Sequence, residues 1–238
     1  MTSPLARAAV AFAAAVAFAA AIPAFGPRAA VAHVPVLERD QVADPMAIGG
    51  PEVSRAIYGY LAPDEEHDAY AFTVDTAVSQ AIGVIVPARA EHEGFRPALR
   101  LFADGVEAAF IADPGRAERE ADWERFSLTD FWAGGEERIA FEPGVDYELR
   151  VEPGTGPEAS GRYVIVFGGP EAFTVAEALQ TLVYLPLIWF GAYGGAPAHW
   201  NWWALVPLAI TSAILLLIVW AVVRAVRRRR TRGEVDLA

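Results

Sequence analysis

The chain of 238 residues has 30 acidic and 19 basic side chains, a net charge of −11 at pH 7, and no cysteine. Every basic residue is an arginine, because the sequence contains no lysine. These absences exclude disulfides, thiolate nucleophiles, cysteine-ligated metals and lysine Schiff bases.

The charge is unevenly distributed along the chain. Residues 33–200 contain 28 acidic side chains and 11 arginines, a net charge of −17, whereas residues 224–238 contain six arginines and two acidic side chains, a net charge of +4. The acidic part would repel phosphate groups, so nucleic acid is excluded as a partner. The basic end suits the anionic inner leaflet of a membrane.

Residues 1–32 have the features of a secretory signal peptide. Arg7 precedes an apolar run from Ala8 to Ile22, which prolines then interrupt. Ala30-Val31-Ala32 fits the small-x-small cleavage pattern, and cleavage there leaves His33 as the first mature residue. The alternative is an uncleaved signal anchor, for which the apolar run is short.

Residues 33–170 are predicted to form an extracytoplasmic domain. Short apolar runs alternate at period two, as where Tyr70, Phe72 and Val74 share one face, and turn signals such as Asp104-Gly105 separate them. Seven such runs predict a mainly β fold, an antiparallel β-sandwich of jelly-roll type. The predicted strands are Val53–Leu61, His67–Asp75, Gln80–Val86, Ala98–Ala103, Glu137–Phe141, Asp146–Val151 and Arg162–Phe167.

The segment from Asp113 to Gly135 interrupts this pattern. We interpret it as a long loop packed by its own aromatic residues, either a functional loop or a lid over one end of the sandwich. Those aromatics are Trp123, Phe126, Phe131 and Trp132.

Four segments within residues 50–168 follow an ordered set of motifs. The segments are Asp68–Val74, Pro97–Leu101, Gly144–Val151 and Gly161–Val164. They resemble the β-sandwich of bacterial pre-peptidase C-terminal (PPC) domains, in which the motifs read D-x-Y-x-F-x-V, P-x-L-x-L, G-x-Y-x-L-x-V and G-x-Y. The whole layout is also similar to archaeal and bacterial single-pass membrane proteins that begin Ala-His-x-Pro after the signal peptide. The resemblance implies an accessory domain that binds a partner or acts as a spacer and does not catalyse.

Residues 173–200 are predicted to form a juxtamembrane helix and turn. Thr174 and Glu177 have the spacing of a capping box, and Pro186 should kink or end the helix before Phe190. We favour a helix that lies at the outer membrane interface over a second membrane span, which would place the domain and the basic tail on the same side.

Residues 201–224 are predicted to form one transmembrane helix. The run from Trp203 to Val223 has about twenty uncharged residues, enough to cross a bilayer core of about 30 Å. The residues 225–238 then form a basic cytoplasmic tail, so the protein is expected in the cell membrane with the N-terminal domain outside. The predicted interface residues are Trp200, Trp202 and Trp203 on the outer side and Arg224, Arg227, Arg228, Arg229 and Arg230 on the inner side.

His33 is the sharpest candidate site residue. A free N-terminal amine and its own imidazole would suit copper, with His67, His92 or His199 as a second histidine ligand. Separately, the acidic turn that ends in His67 and Asp68 offers carboxylate oxygens to a hard cation. The plain interpretations are a flexible chain end for His33 and a solvated turn for the acidic residues.

The sequence contains no motif of a known catalytic site. No serine lies in a nucleophile elbow, and neither a P-loop nor a dinucleotide-binding motif occurs. We therefore predict a non-enzymatic binding or structural module that requires no cofactor, with the lipid bilayer as its partner. The alternatives are a copper-binding surface protein that uses His33, and an accessory subunit that docks onto a membrane protein through residues 173–203.

Overall fold

Two β-sheets and a helix account for most of the computed structural model. It describes residues 33–38, 45–112, 121–124, 126–170 and 172–210, and the pairs 212–213, 216–217, 219–220 and 223–224. The described residues fall into two units, divided between Ala198 and His199. The strands are β1 (Val34–Leu37), β2 (Met46–Ala47), β3 (Arg55–Leu61), β4 (Asp68–Phe72), β5 (Val78–Pro87), β6 (Pro97–Ala103), β7 (Val106–Ile111), β8 (Ala121–Glu124), β9 (Thr129–Phe141), β10 (Tyr147–Pro153) and β11 (Gly161–Gly168), and the helix is α1 (Val175–Trp189).

The sheets have the orders β1-β3-β11-β5-β9-β8 and β2-β4-β10-β6-β7. All neighbouring strands are antiparallel except two edge pairs, β1 with β3 and β2 with β4. This departs from the predicted fully antiparallel arrangement. The physical reason lies in the order of the strands along the chain. β1 and β3 belong to the six-stranded sheet, and each is followed by a strand of the five-stranded sheet, β2 and β4. The two crossings run in the same direction, so β1 lies parallel to β3 and β2 lies parallel to β4.

The core lies between the two sheets. Alternate residues of each strand point inward, so Ile57 and Ile165 of one sheet pack with Leu149 of the other. Aromatic contacts cross the same interface, as where Phe72 and Phe167 meet edge to face with ring centroids 5.7 Å apart. The predicted mainly β fold is confirmed.

The prediction of a long loop from Asp113 to Gly135 is wrong at residues 121–124 and 129–135, which belong to β8 and β9. Gly134 lets β9 pass close to β5, because a Cβ atom there would lie 2.4 Å from the carbonyl oxygen of Val84. Residues 113–120 lie outside the described part of the chain.

The predicted helix after residue 173 is confirmed as α1. Thr174 Oγ1 accepts from the backbone N–H of Glu177, and the Glu177 carboxylate accepts from the N–H of Thr174 at 2.8 Å. Pro186 lies inside the helix, where it lacks the N–H that would continue the hydrogen-bond ladder, and the helix extends three residues further to Trp189.

The unit after Ala198 begins with a 3₁₀ turn at Trp202–Ala204, and its described residues from 205 to 224 are helical. No helix within the described residues is both long and apolar enough to cross a bilayer. Six residues of the predicted span, the signal peptide at residues 1–32 and the tail at residues 225–238 lie outside that part of the chain.

Candidate functional site

His33 and the pair His67–Asp68 lie at different ends of the sandwich. His33 Nδ1 is hydrogen-bonded to Ser54 Oγ just before β1 and β3 begin. Asp68 opens β4 beside Glu38, which lies five residues beyond His33 along an extended chain and hence about 16 Å away. The structure therefore does not bring these predicted metal ligands together.

Metal binding itself stays a prediction. Within the described ranges, no group of three His, Asp or Glu side chains could hold a metal ion. Copper at His33 would need the mature N-terminal amine, and a hard cation near Asp68 would need further oxygen ligands.

Three buried side chains and the partly buried Glu38 form what we call the carboxyl–tyrosine cluster. The buried members are Asp68, Tyr70 and Tyr163. The Tyr163 hydroxyl donates to Asp68 Oδ2 at 2.6 Å. The hydroxyls of Tyr70 and Tyr163 are 2.7 Å apart. Because the single Tyr163 hydrogen goes to Asp68, Tyr70 must be the donor to Tyr163. The cluster joins the end of β1 to the beginnings of β4 and β11.

Burial disfavours charge throughout this cluster. Desolvation, followed by the neighbouring charge of Asp68, raises the pKa of Glu38 to about 8. Desolvation also raises the pKa of Asp68 to about 6, against the hydrogen bond from Tyr163. Near neutral pH Glu38 therefore holds a proton, which it can donate to the Asp68 carboxylate.

Three of the four members of this cluster are shielded from solvent. Asp68 is 3% exposed, and both tyrosine side chains are completely buried. Raised carboxyl pKa values also occur in catalytic acid–base pairs, but those face a substrate. Here the carboxyl groups face tyrosines and backbone, as where Glu38 Oε2 accepts from the Tyr60 N–H at 2.8 Å.

A segment that we call the closing loop, residues 190–198, covers this end of the sandwich. Tyr193 packs edge to face on Tyr58, with ring centroids 5.5 Å apart. The Gly194 N–H donates to the backbone oxygen of Glu38 at 3.2 Å. Gly194 has a φ of +58°, and a Cβ there would lie 2.6 Å from the Tyr60 nitrogen, so the position requires glycine.

The Arg162 side chain anchors the closing loop to the six-stranded sheet. Its guanidinium is buried at the start of β11 and donates Nε–H to the Gly191 oxygen at 3.1 Å and Nη2–H to the Pro197 oxygen. Five donors in a rigid fork suit such bonding to several carbonyls. Both ends of the loop are therefore held by one side chain.

The two sides of α1 differ sharply. Tyr184 and Ile188 pack on the outer face of the six-stranded sheet with Tyr58 and Val164, and Trp189 Nε1 donates to the Phe126 oxygen at 2.8 Å. The other side exposes large apolar side chains without any charge. These are Val175, Leu179, Leu182, Val183 and Leu187, and we call them the exposed stripe.

The predicted outer interface residues Trp200, Trp202 and Trp203 are all more than half exposed. The rings of Trp200 and Trp202 meet edge to face at 5.2 Å. On the predicted inner side, the Arg224 guanidinium lies 4.9 Å from the centre of the Trp220 ring. Arg227, Arg228, Arg229 and Arg230 lie outside the described residues.

Sequence reasoning missed Glu38 and Arg162, and it considered His92 only as a possible copper ligand. Arg162 was assigned to a strand without a role, although a cation beside the apolar run Tyr163–Phe167 is a signal for a buried partner. Glu38 follows the apolar run Val34–Leu37 in the same way. Their partners come from distant parts of the chain, so spacing could not identify them.

Comparison with known proteins finds limited similarity. No family model and no curated protein matches the chain. Solved structures similar to it include the pre-peptidase C-terminal domain of a collagenase from Bacillus anthracis, at 19% identity and a TM-score of 0.35, which covers 52% of this chain and 93% of that one. A β-glucosidase from Paenibacillus barengoltzii is similar at 15% identity and a TM-score of 0.27, covering 61% of this chain and 14% of that one. The first is the domain type that the sequence motifs resemble, but with TM-scores this low neither similarity supports a functional argument.

Proposed function

We propose that this protein is a non-enzymatic binding or structural module, held outside the cell by a single membrane helix at residues 201–224. In this arrangement α1 lies against the outer lipid interface through its exposed stripe. The observation that carries the proposal is the asymmetry of α1, whose inner side belongs to the fold while its outer side is apolar and open.

The near absence of charged side chains on α1 supports its contact with lipid. Its single charged residue, Glu177, serves the capping box and lies 3.7 Å from Arg55. The exposed stripe therefore offers only apolar contact, which a neutral interfacial region of a bilayer can accept. Val175 and Val183 are 80% and 68% exposed, and burial in lipid would remove this apolar area from water.

The length of the chain supports proximity to the membrane. The closing loop is bonded to the sandwich as far as Pro197. Four residues lie between Ala198 and Trp203, and the five Cα–Cα steps that join them can extend by about 18 Å at most. A membrane span that begins at Trp203 would therefore keep the domain near the lipid surface.

A pair of matched cysteine variants tests lipid contact. The protein has no native cysteine, so Val183→Cys and Val106→Cys each offer one labelling site. The two valines are 68% and 70% exposed, on α1 and on β7 respectively. In full-length protein reconstituted into phosphatidylcholine nanodiscs, an environment-sensitive dye at residue 183 should show blue-shifted emission and slow quenching by dithionite, whereas a dye at 106 should behave as in water.

Equal quenching at both positions would contradict the lipid contact. If residue 183 becomes shielded only after another membrane protein is added, the stripe is the docking surface of an accessory subunit instead. A reporter fused after Ala238 checks the orientation, because activity of an extracytoplasmic-type reporter there would exclude a single span with a cytoplasmic tail.

Copper binding at His33 remains a separate hypothesis that no observation in the structure favours. N-terminal sequencing of the mature chain, together with metal analysis of the same sample, tests it. Mature protein that begins at His33 should bind Cu(II), and one added N-terminal residue should abolish that binding. Unchanged affinity in the extended variant would exclude the hypothesis.

A further inference from the structure

The turns at one end of the sandwich carry exposed acidic side chains. Strands β3, β5 and β10 end there, and β4, β6 and β11 begin there, as the pairing of Leu61 with Gly161 shows for β3 and β11. Phe95 and Glu158 form a bridge between two of these turns. We call this end of the domain the acidic end. Its exposed acidic residues are Asp64, Glu66, Glu91, Glu93 and Glu158.

The arginines of the acidic end are turned into the fold or lie close to a carboxylate. Arg96 and Arg162 are 8% and 4% exposed, and Arg162 donates hydrogen bonds to the closing loop. The Arg89 side chain is 22% exposed and lies 3.9 Å from the Glu91 carboxylate. Within the described part of these turns, the charge that faces solvent is therefore predominantly negative.

The acidic end borders the C-terminal part of α1. β11 leads away from this end, and α1 runs back along the sheet and ends at Trp189, just before the closing loop that Arg162 holds. Val183 and Leu187 of the exposed stripe lie in the last two turns of the helix. A lipid surface that covers these two side chains is therefore close to the acidic turns.

The charge of the lipid affects these two neighbouring surfaces differently. The exposed stripe contains no charged side chain, so its apolar contact does not require a charged headgroup. The acidic turns, in contrast, are repelled by anionic headgroups over about 10 Å at an ionic strength of 0.1 M. The whole domain adds to this repulsion, because residues 33–200 have a net charge of −17.

We propose that the exposed stripe docks on zwitterionic phospholipid and is released when anionic phospholipid replaces it. This inference rests on the proposed lipid contact of α1 and adds the class of lipid to it. The acidic end provides the discrimination, because it opposes docking on an anionic surface and not on a zwitterionic one. The headgroup composition of the outer leaflet therefore determines whether the stripe is covered by lipid or open to water.

The full-length Val183→Cys variant tests the proposal in two kinds of nanodisc at low salt, one of phosphatidylcholine and one of phosphatidylcholine and phosphatidylglycerol in equal parts. Acrylamide quenches an environment-sensitive dye at residue 183, and because acrylamide is uncharged, the lipid charge does not change its access. The ratio of water-exposed to lipid-shielded dye should rise at least about fivefold in the mixed nanodiscs, the factor that one surface charge supplies. Sodium chloride should reverse this rise.

Two double variants with the same change in net charge locate the effect. Asp64→Asn with Glu66→Gln removes two charges from the acidic end and should reduce the response to phosphatidylglycerol. Glu142→Gln with Asp146→Asn removes two exposed charges from the turn between β9 and β10, about 20 Å away along β10, and should leave the response unchanged. A dye at residue 106 should be quenched equally in both kinds of nanodisc.

The outcomes separate this inference from the lipid contact itself. Equal shielding of residue 183 in the two kinds of nanodisc would overturn the lipid selectivity and leave the lipid contact standing. Exposure of residue 183 to acrylamide in both would overturn the lipid contact and the selectivity with it. If the two double variants reduce the response equally, the acidic end is not the source of the discrimination.

Discussion

The two sheets have similar inner faces but very different outer faces. On the six-stranded sheet the outward residues Ala56, Tyr58 and Val164 are apolar and lie under α1. On the five-stranded sheet the outward residues Arg100 and Arg150 pair with glutamates and lie open to solvent. The helix covers the sheet whose strands are apolar on both faces, so the outward residues determine which side of the sandwich is closed.

Ile188→Ala should cause the largest loss of stability, because Ile188 packs between α1 and the outer face of the six-stranded sheet. Ile188 is 4% exposed and packs in the cluster beneath α1. Truncating a buried isoleucine removes transfer energy and leaves a cavity, so the free energy of unfolding should fall by about 3 kcal/mol. Urea denaturation of nanodisc-embedded protein, followed by near-UV circular dichroism, measures the loss.

Val183→Ala is the matched control on the same helix. This side chain points away from the sheet and is 68% exposed, so the variant should retain nearly the native free energy of unfolding. A similar loss in both variants would mean that the inner side of α1 does not stabilise the domain preferentially.

The carboxyl–tyrosine cluster beneath the closing loop should make the covered side sensitive to pH. Because the pKa of Glu38 is raised to about 8, the folded protein holds more protons than the unfolded chain above about pH 4. The free energy of unfolding should therefore fall steadily as pH rises from 5 to 8 and level off only above about pH 9, where Glu38 is ionised in both states. The raised pKa of Asp68, about 6, acts in the same direction at lower pH.

Glu38→Gln removes this proton dependence and keeps a side chain that can donate to Asp68. Its free energy of unfolding should vary less than that of the native protein between pH 6 and 8. Denaturation curves at several pH values provide the comparison. A native stability that rises over this interval would contradict the raised pKa of Glu38.

The sequence predicted the parts of the fold whose signals are local. Alternation identified β4, β6, β10 and β11, and the capping box identified the start of α1. β1 and β2 were missed because strands of four and two residues carry too little pattern. Only the end of β9, Glu137–Phe141, was predicted. Its first part was missed because the close approach at Gly134 depends on a neighbouring strand, not on its own sequence.

The polar groups were harder to predict than the strands. The carboxyl–tyrosine cluster joins residues 95 positions apart in the chain, as in the bond from Tyr163 to Asp68. Such partners are brought together by the packing of one sheet on the other, because β4 and β11 belong to different sheets. The metal hypothesis, in contrast, grouped residues by type, and the structure places His33 and Asp68 at opposite ends of the sandwich.

The smallest loss of stability is expected from a substitution on the outer face of the five-stranded sheet. Arg100 donates to Glu152 at 2.7 Å and to Glu107 at 2.9 Å, and its guanidinium lies 4.5 Å from the centre of the Phe110 ring. These contacts are accessible to water and salt, which weaken exposed ion pairs. Arg100→Gln should therefore lower the free energy of unfolding far less than Ile188→Ala, and the difference from the native protein should shrink further as sodium chloride is raised. A loss as large as that of Ile188→Ala, unchanged by salt, would mean that the outer face of the five-stranded sheet is also covered, by a partner that the isolated chain does not contain.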